Sequence, residues 1–235
     1  TLIVDQTRAI VSTGNFTNSD FITCTRAKTK SYPANPPHRN FAIVTSDKTN
    51  IKQILTVFHA DWNRYNPQIL PSKLLWSPVN SLNKLIGLIN ASQHTLDIYI
   101  QQLSTYNIVN ALINAQNRGV KIRILTLAKS TQPASAILAA NNMVAHGINI
   151  RVSSNIFIHA KSILTDFQYA NQALFVGSMD FTYSGISLNR ELGIIDNNPA
   201  NLHLMATTFS HDWNQALKYT ISPTSNHPVI QNICL

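Results

Sequence analysis

The chain has 235 residues, 44% of them hydrophobic and 12% charged, the balance of a folded protein with one large or two small cores rather than a disordered or fibrous one. Eighteen Lys and Arg against ten Asp and Glu leave a net charge of +8, which favours anionic partners such as nucleic acid, phospholipid head groups or acidic polymers. No run of about 18 apolar residues occurs, so this sequence holds no helical membrane span. No signal peptide is visible in a chain that opens on TLIVDQ, without a methionine and in apparent mid-strand.

The basic residues are scattered. The one local cluster, RAKTK at Arg26–Lys30, reads as a solvated loop. Cys24 and Cys234 lack metal-ligand spacing and are either bridged or both free. In chain order, the three prolines of NPQILPSKLLWSP mark a connector over residues 66–78. SLNKLIGLINAS then has apolar residues at helical spacing, with Ser81 as the expected N-cap. TLDIYIQQ alternates as a strand, and NIVNALINAQNRG is a helix stopped by Gly119. VKIRILT is a strand, PASAILAANNMVAHG a helix ending at Gly147, and INIRVSS a strand. That rhythm implies βαβ units on a largely parallel sheet. NIFIHAKSILTD, QALFVG and RELGIID follow as strands without intervening helices, so antiparallel pairs are expected there. The last helix starts near Pro199 and places Leu202, Met205, Phe209 and Trp213 on one buried face.

The beginning of the chain repeats its end. LIVDQTRAIVSTGNFT lies over ILTDFQYANQALFVGSMDFT, so that Asp5 falls on Asp166, Thr13 on Ser178 and Asn15 on Asp180. HRNFAIV (38–44) lies over NRELGII (189–195), and FHADWN (58–63) matches FSHDWN (209–214). Four matches in one order describe two copies of one supersecondary unit. Residues 1–65 would be the C-terminal part of the first copy and 79–235 a complete second copy.

Read as one strand, NIFIHAKSILTD sets His159 and Lys161 on the same side of an apolar segment. Buried cations are costly without a partner, so the pair reads as awaiting an anion. The full pattern is H-x-K-x4-D from His159 through Lys161 to Asp166, then G-S-x-D at Gly177–Asp180, then Glu191. With the second half-copy, it resembles the phospholipase D superfamily and its HKD motif over nearly the whole chain.

The resemblance implies an α/β fold: a phospholipase D-like α-β-α sandwich on a mixed, mostly parallel sheet, with two pseudo-twofold repeats, the first incomplete. It implies a phosphodiesterase or phosphatidyl transferase in which two histidines, one per copy, work through a phosphohistidine, with no metal or other cofactor. His159 is then the general acid/base. Lys161 is a compact donor to the non-bridging phosphate oxygens, and Ser178 offers them a hydroxyl. Glu191 would hydrogen-bond the far nitrogen of the catalytic imidazole. Asp166 is structural. Thr13, Asn15 and Asn40 (the Glu191 equivalent) would face the site from the first copy. Asp180 stands where Asn is commoner, and would need a cation beside it to tolerate phosphate.

Counting back from Asp5, the first H-x-K would lie just before Thr1. The expected explanations are a cleaved protein whose complementary N-terminal half carries it on a separate chain, or a fragment of a longer chain; a homodimer ranks third. The expected substrate is phospholipid at a membrane surface, as in bacterial two-copy phospholipases D and cardiolipin synthase-like proteins; Phe16, Phe21, Ile22 and Phe181 read first as ordinary core and second as open to acyl chains. Nucleic acid is the second choice, and a non-catalytic relic the third. Composition leans towards a secreted or bacterial envelope protein. His59, His94, His146, His203, His211 and His227 share no motif.

Overall fold

The computed structural model describes residues 1–17, 20 and 37–221. Cys24, Cys234, RAKTK, Phe21, Ile22 and His227 lie outside these residues. Among the described residues no helix is long and apolar enough to cross a membrane.

Three short antiparallel strands open the chain: β1 (Leu2–Val4), β2 (Arg8–Ser12) and, beyond the two-residue β3 (His38–Arg39), β4 (Ala42–Thr45). They make a sheet of order β1-β2-β4. Helix α1 (Lys48–Trp62) follows, capped by Asp47, whose side chain accepts from the Asn50 N–H. The larger unit contains β5 (Leu74–Ser77), α2 (Ser81–Ala91), β6 (Thr95–Tyr99), α3 (Tyr106–Asn117), β7 (Lys121–Thr126), α4 (Ala134–Ala145) and β8 (Asn149–Val152). It continues with β9 (Phe157–Ile158), β10 (Ser162–Thr165), β11 (Ala173–Gly177), the single-turn α5 (Tyr183–Ser187), β12 (Glu191–Asp196), α6 (Pro199–Gln215) and β13 (Leu217–Lys218).

Eight of these strands form one open sheet in the order β13-β8-β7-β6-β10-β11-β12-β5. The sheet is mixed, as expected, but it is not mostly parallel. Only β6-β7 and β7-β8 pair in parallel, and the other five pairings are antiparallel. The reason lies in the connections. Of the longer helices only α3 and α4 link strands that lie side by side in the sheet, whereas β10, β11 and β12 are neighbours joined without a crossover helix and must reverse direction.

Helices cover both faces. One face buries Leu85, Ile89, Ile108, Leu112 and Met143 of α2, α3 and α4. The other buries Leu202, Met205, Phe209 and Trp213 of α6, the stripe read from sequence, together with Ile51, Ile54 and Val57 of α1 and Ala9, Val11 and Ile43 of the small sheet. Gly119 and Gly147 end α3 and α4 with φ of +94° and +87°, the left-handed conformation that glycine adopts without a Cβ penalty.

Three local expectations are corrected. The segment read as a connector contains β5, whose Leu74, Leu75 and Trp76 are buried and which pairs with β12; apolar content outweighs the flanking prolines. Asn80, not Ser81, occupies the cap of α2; Ser81 is buried with its hydroxyl against that of Ser77 at 2.7 Å. NIFIHAKSILTD is two strands. β9 pairs in parallel with β3, β10 pairs with β6 and β11, and His159, Ala160 and Lys161 lie in the break. The chain changes partners there, and no single ladder includes both cations.

The matched segments take matched shapes. β1-β2-β4 is an antiparallel meander like β10-β11-β12, and Asp5 and Asp166 both have positive φ, +48° and +46°. β10 is flanked on both sides, whereas β1 lies at the edge of its sheet.

Candidate active site

The loops after β2 and β11 and the starts of β4 and β12 hold equivalent polar groups. The Ser178 hydroxyl donates to Glu191 Oε2 at 2.5 Å and accepts from the Leu192 N–H at 3.2 Å. The Thr13 hydroxyl donates to Asn40 Oδ1 and accepts from the Phe41 N–H, both at 3.0 Å. The glycine of G-S-x-D has a steric reason: a Cβ on Gly177 would sit 2.7 Å from the Phe175 ring and 2.9 Å from the Gly193 backbone.

Two ion pairs cross between the copies. Arg39 grips Asp212 of α6 with two bonds of 2.7 and 2.9 Å, and Tyr99 donates to the same carboxylate at 2.6 Å. Arg190, which the repeat places over Arg39, bonds Asp61 of α1 at 2.9 Å. Burial, followed by the adjacent Asp212 carboxylate, pushes the Tyr99 hydroxyl's pKa far up, so it stays a donor.

His159 takes part in the same crossing. Its Nδ1 lies 3.0 Å from Asn40 Oδ1 and 3.3 Å from Asp20 Oδ1. The expected bond from Glu191 to this ring is not made: Glu191 is bonded to Ser178 and to Asn189, and the first-copy residue Asn40 takes the place. The physical reason is the way the two copies pack, which sets the first copy's residue at the acidic position, Asn40, against the second copy's histidine. The Asn40 amide donates to Asp20 Oδ1 at 2.8 Å, so Asn40 Oδ1 is left to accept, and His159 Nδ1 must carry the proton. In the neutral ring Nε2 then holds the lone pair.

Charge is distributed unevenly here. Burial, then the neighbouring Lys161 ammonium, lowers the His159 pKa to about 4, against the opposing pull of Asp20. Burial works to raise the Asp20 pKa, but hydrogen bonds from His38, Asn40, Thr17 and the Asn15 N–H outweigh it and bring it to about 2. Lys161 is only 3% exposed. Its ammonium donates to Gln101 Oε1 at 3.1 Å and to the His159 carbonyl at 2.7 Å. Burial lowers its pKa, while Asp180, Glu191 and Asp20 oppose that. Asp180 is pushed up by burial and held back by Lys161 and by the Gln102 N–H, which donates to it at 3.1 Å. Lys161 is thus the cation that makes Asp180 tolerable.

Asp166 stands apart from these groups. It is buried, and its carboxylate accepts from the N–H groups of Gln93, His94 and Thr95 at 2.8, 2.7 and 2.9 Å, tying the end of β10 to the start of β6. Asn15 is exposed and Thr13 buried. Of the apolar residues near the motif loops, Phe181 is fully buried in the core and out of reach of an acyl chain, whereas Phe16 is 75% exposed. A cavity of about 230 Å³ is lined by Thr1, Trp76, Ser178, Arg190 and Glu191 among others.

Sequence reasoning missed Asp20, His38 and Gln101. His38 Nδ1 lies 2.9 Å from Asp20 Oδ1, with its ring stacked on Phe157. The repeat sets Asp20 over Gly185, so nothing in the motif pointed to it. His38 adjoins the matched Arg39-Asn40 pair, which was the one available signal.

The chain is similar to proteins of known family. The family described as cardiolipin synthase, PLD-like domain, matches residues 85–213. No curated protein matches the sequence. Among solved structures, Nuc from Salmonella typhimurium, a phospholipase D family member, is 25% identical with a TM-score of 0.57, covering 62% of this chain and 95% of its own. NucT from Helicobacter pylori is 16% identical with a TM-score of 0.52 over 62% of this chain and 97% of its own. Polyphosphate kinase from Porphyromonas gingivalis is 13% identical with a TM-score of 0.66; the match covers 91% of this chain but only 32% of that enzyme, and shows likeness of fold alone.

Proposed function

Because the chain belongs to the cardiolipin synthase, PLD-like domain family and has the phosphodiesterase fold of the phospholipase D superfamily, we propose that it cleaves or transfers phospholipid phosphodiesters, with His159 moving the proton. The observation that carries this reading is the His159 ring, its Nδ1 3.0 Å from Asn40 Oδ1, beside the buried Lys161 ammonium. A diester phosphate seated on Lys161 and Ser178 brings negative charge to the imidazole and raises its pKa, so that His159 gains a proton as substrate arrives.

The complementary histidine attacks phosphorus, the bond from phosphorus to the leaving oxygen breaks, and His159 gives that oxygen its proton. His159 then takes a proton from water or an alcohol, whose oxygen attacks phosphorus and breaks the phosphorus–nitrogen bond. The complementary H-x-K would approach from beside Thr1, which lines one cavity with Ser178 and Glu191. Glu191 would orient its histidine as Asn40 orients His159.

The test is turnover of mixed phosphatidylcholine and phosphatidylglycerol vesicles by the complete protein, with the complementary H-x-K present, and by the same protein carrying His159→Ala. Head-group release should fall by about 10²–10⁴-fold in the variant; equal turnover would refute the assignment. The net charge of +8 favours a second reading, nucleic acid. Cleavage of single-stranded DNA with intact vesicles would establish it instead.

A further inference from the structure

Three side chains that the proposed reaction does not use together as ligands converge beside the site. Asp20, His38 and His159 each offer one ligand atom within 4.8 Å of the others. Both imidazoles direct Nδ1 at a single oxygen, Asp20 Oδ1, at 2.9 and 3.3 Å. Around a tetrahedral ion with bonds of 2.0–2.1 Å, neighbouring ligand atoms stand about 3.3 Å apart, so the three atoms need little movement to enclose one. The side chains are pre-positioned: Asp20 is 4% exposed, His159 13% and His38 15%. Asn40 holds Asp20 and His159 from one side, and Phe157 stacks on His38 from the other. The Asp20 carboxylate, held well below its usual pKa, brings negative charge to the cluster, which suits a divalent cation. Two nitrogens and one oxygen select zinc-like transition ions over magnesium or calcium, which take oxygen ligands.

We propose that Asp20, His38 and His159 form a binding site for a zinc-class transition-metal ion that switches the active site off. The switch is a change of tautomer. The ion occupies His159 Nδ1, whose proton must leave; a proton then resides on Nε2, where the metal-free ring keeps its lone pair. The ring has nothing left with which to accept a proton from water or an alcohol, and it is withdrawn from Asn40. The inhibitory consequence rests on the role proposed for His159; the binding itself does not.

The experiment is calorimetric titration of the whole protein with zinc chloride at pH 7, with magnesium chloride as the contrast. One zinc ion should bind per chain at micromolar concentration or below, and magnesium should not compete. His38→Ala and the isosteric Asp20→Asn should each weaken zinc binding at least tenfold with native circular dichroism, whereas His94→Ala and His146→Ala should leave it unchanged. Absence of a binding event, or equal affinity in the cluster variants, would overturn the site. The nitrogen-15 shifts of His159 give the second readout. Zinc should move the proton from Nδ1 to Nε2; binding without that exchange would overturn the switch while leaving the catalytic reading of His159 standing.

Discussion

Acidification offers the most direct test of the His159 environment. Burial and the Lys161 ammonium bring its pKa from the ordinary 6.5 to about 4, so between these values the unfolded chain binds a proton that the native chain refuses. Unfolding is therefore favoured by protons in that window. The stability that His159 contributes is fully present above pH 6.5 and is lost as the pH falls through about 4. The gap corresponds to about 3 kcal/mol, a large part of the stability of an ordinary domain. The Asp20 carboxylate, held near 2, loses its own contribution only below its ordinary 3.8, outside the window. Urea unfolding measured from pH 7.5 to 4.5 on the native protein and on His159→Gln isolates the effect, because every other titrating group is common to both. The native protein should lose about 2–3 kcal/mol more than the variant across that range. Lys161→Met removes one of the two main causes and should shrink the difference. Parallel pH curves for the native protein and His159→Gln would refute the burial and charge argument together.

Other perturbations separate the roles of groups that the repeat sets in equivalent places. Asp212→Ala leaves Arg39 and the Tyr99 hydroxyl without their buried acceptor and should cost about 3–5 kcal/mol in urea unfolding. Its counterpart Asp61→Ala removes an exposed pair with Arg190 and should cost less than about 1 kcal/mol; similar costs would show that burial does not set the difference. Asp166→Ala orphans three N–H groups and should destabilise by about 3 kcal/mol or more, whereas Asp166→Asn keeps one acceptor oxygen and should cost less. Hydrogen exchange at Gln93, His94 and Thr95 should accelerate in both variants, and unchanged protection would contradict the clamp.

Local chemistry was readable along the chain. The helices ending at Gly119 and Gly147, the buried stripe of α6 and the alternating strands all depend on residues close in sequence, and periodicity reports these. The H-x-K-x4-D spacing likewise marked the buried cations, because a charge in an apolar segment is conspicuous wherever the strand lies. Strand direction was not readable beyond the βαβ run. Whether β10, β11 and β12 add parallel or antiparallel pairs depends on which edges they meet, and that tilted the sheet from mostly parallel to mostly antiparallel. The identity of the partner for His159 was hidden for the same reason. Glu191 is nearer in sequence and has the obvious carboxylate, but the two copies face one another, so the groups that reach the ring come from Asn40 and Asp20, 119 and 139 positions away. Spacing along the chain was enough to single out His159, Lys161, Ser178 and Glu191 as candidate groups for a phosphate. Which of them touch is a matter of packing: a hydrogen bond such as that between Asn40 and His159 is fixed by how two sheets meet and leaves no periodic trace along the chain.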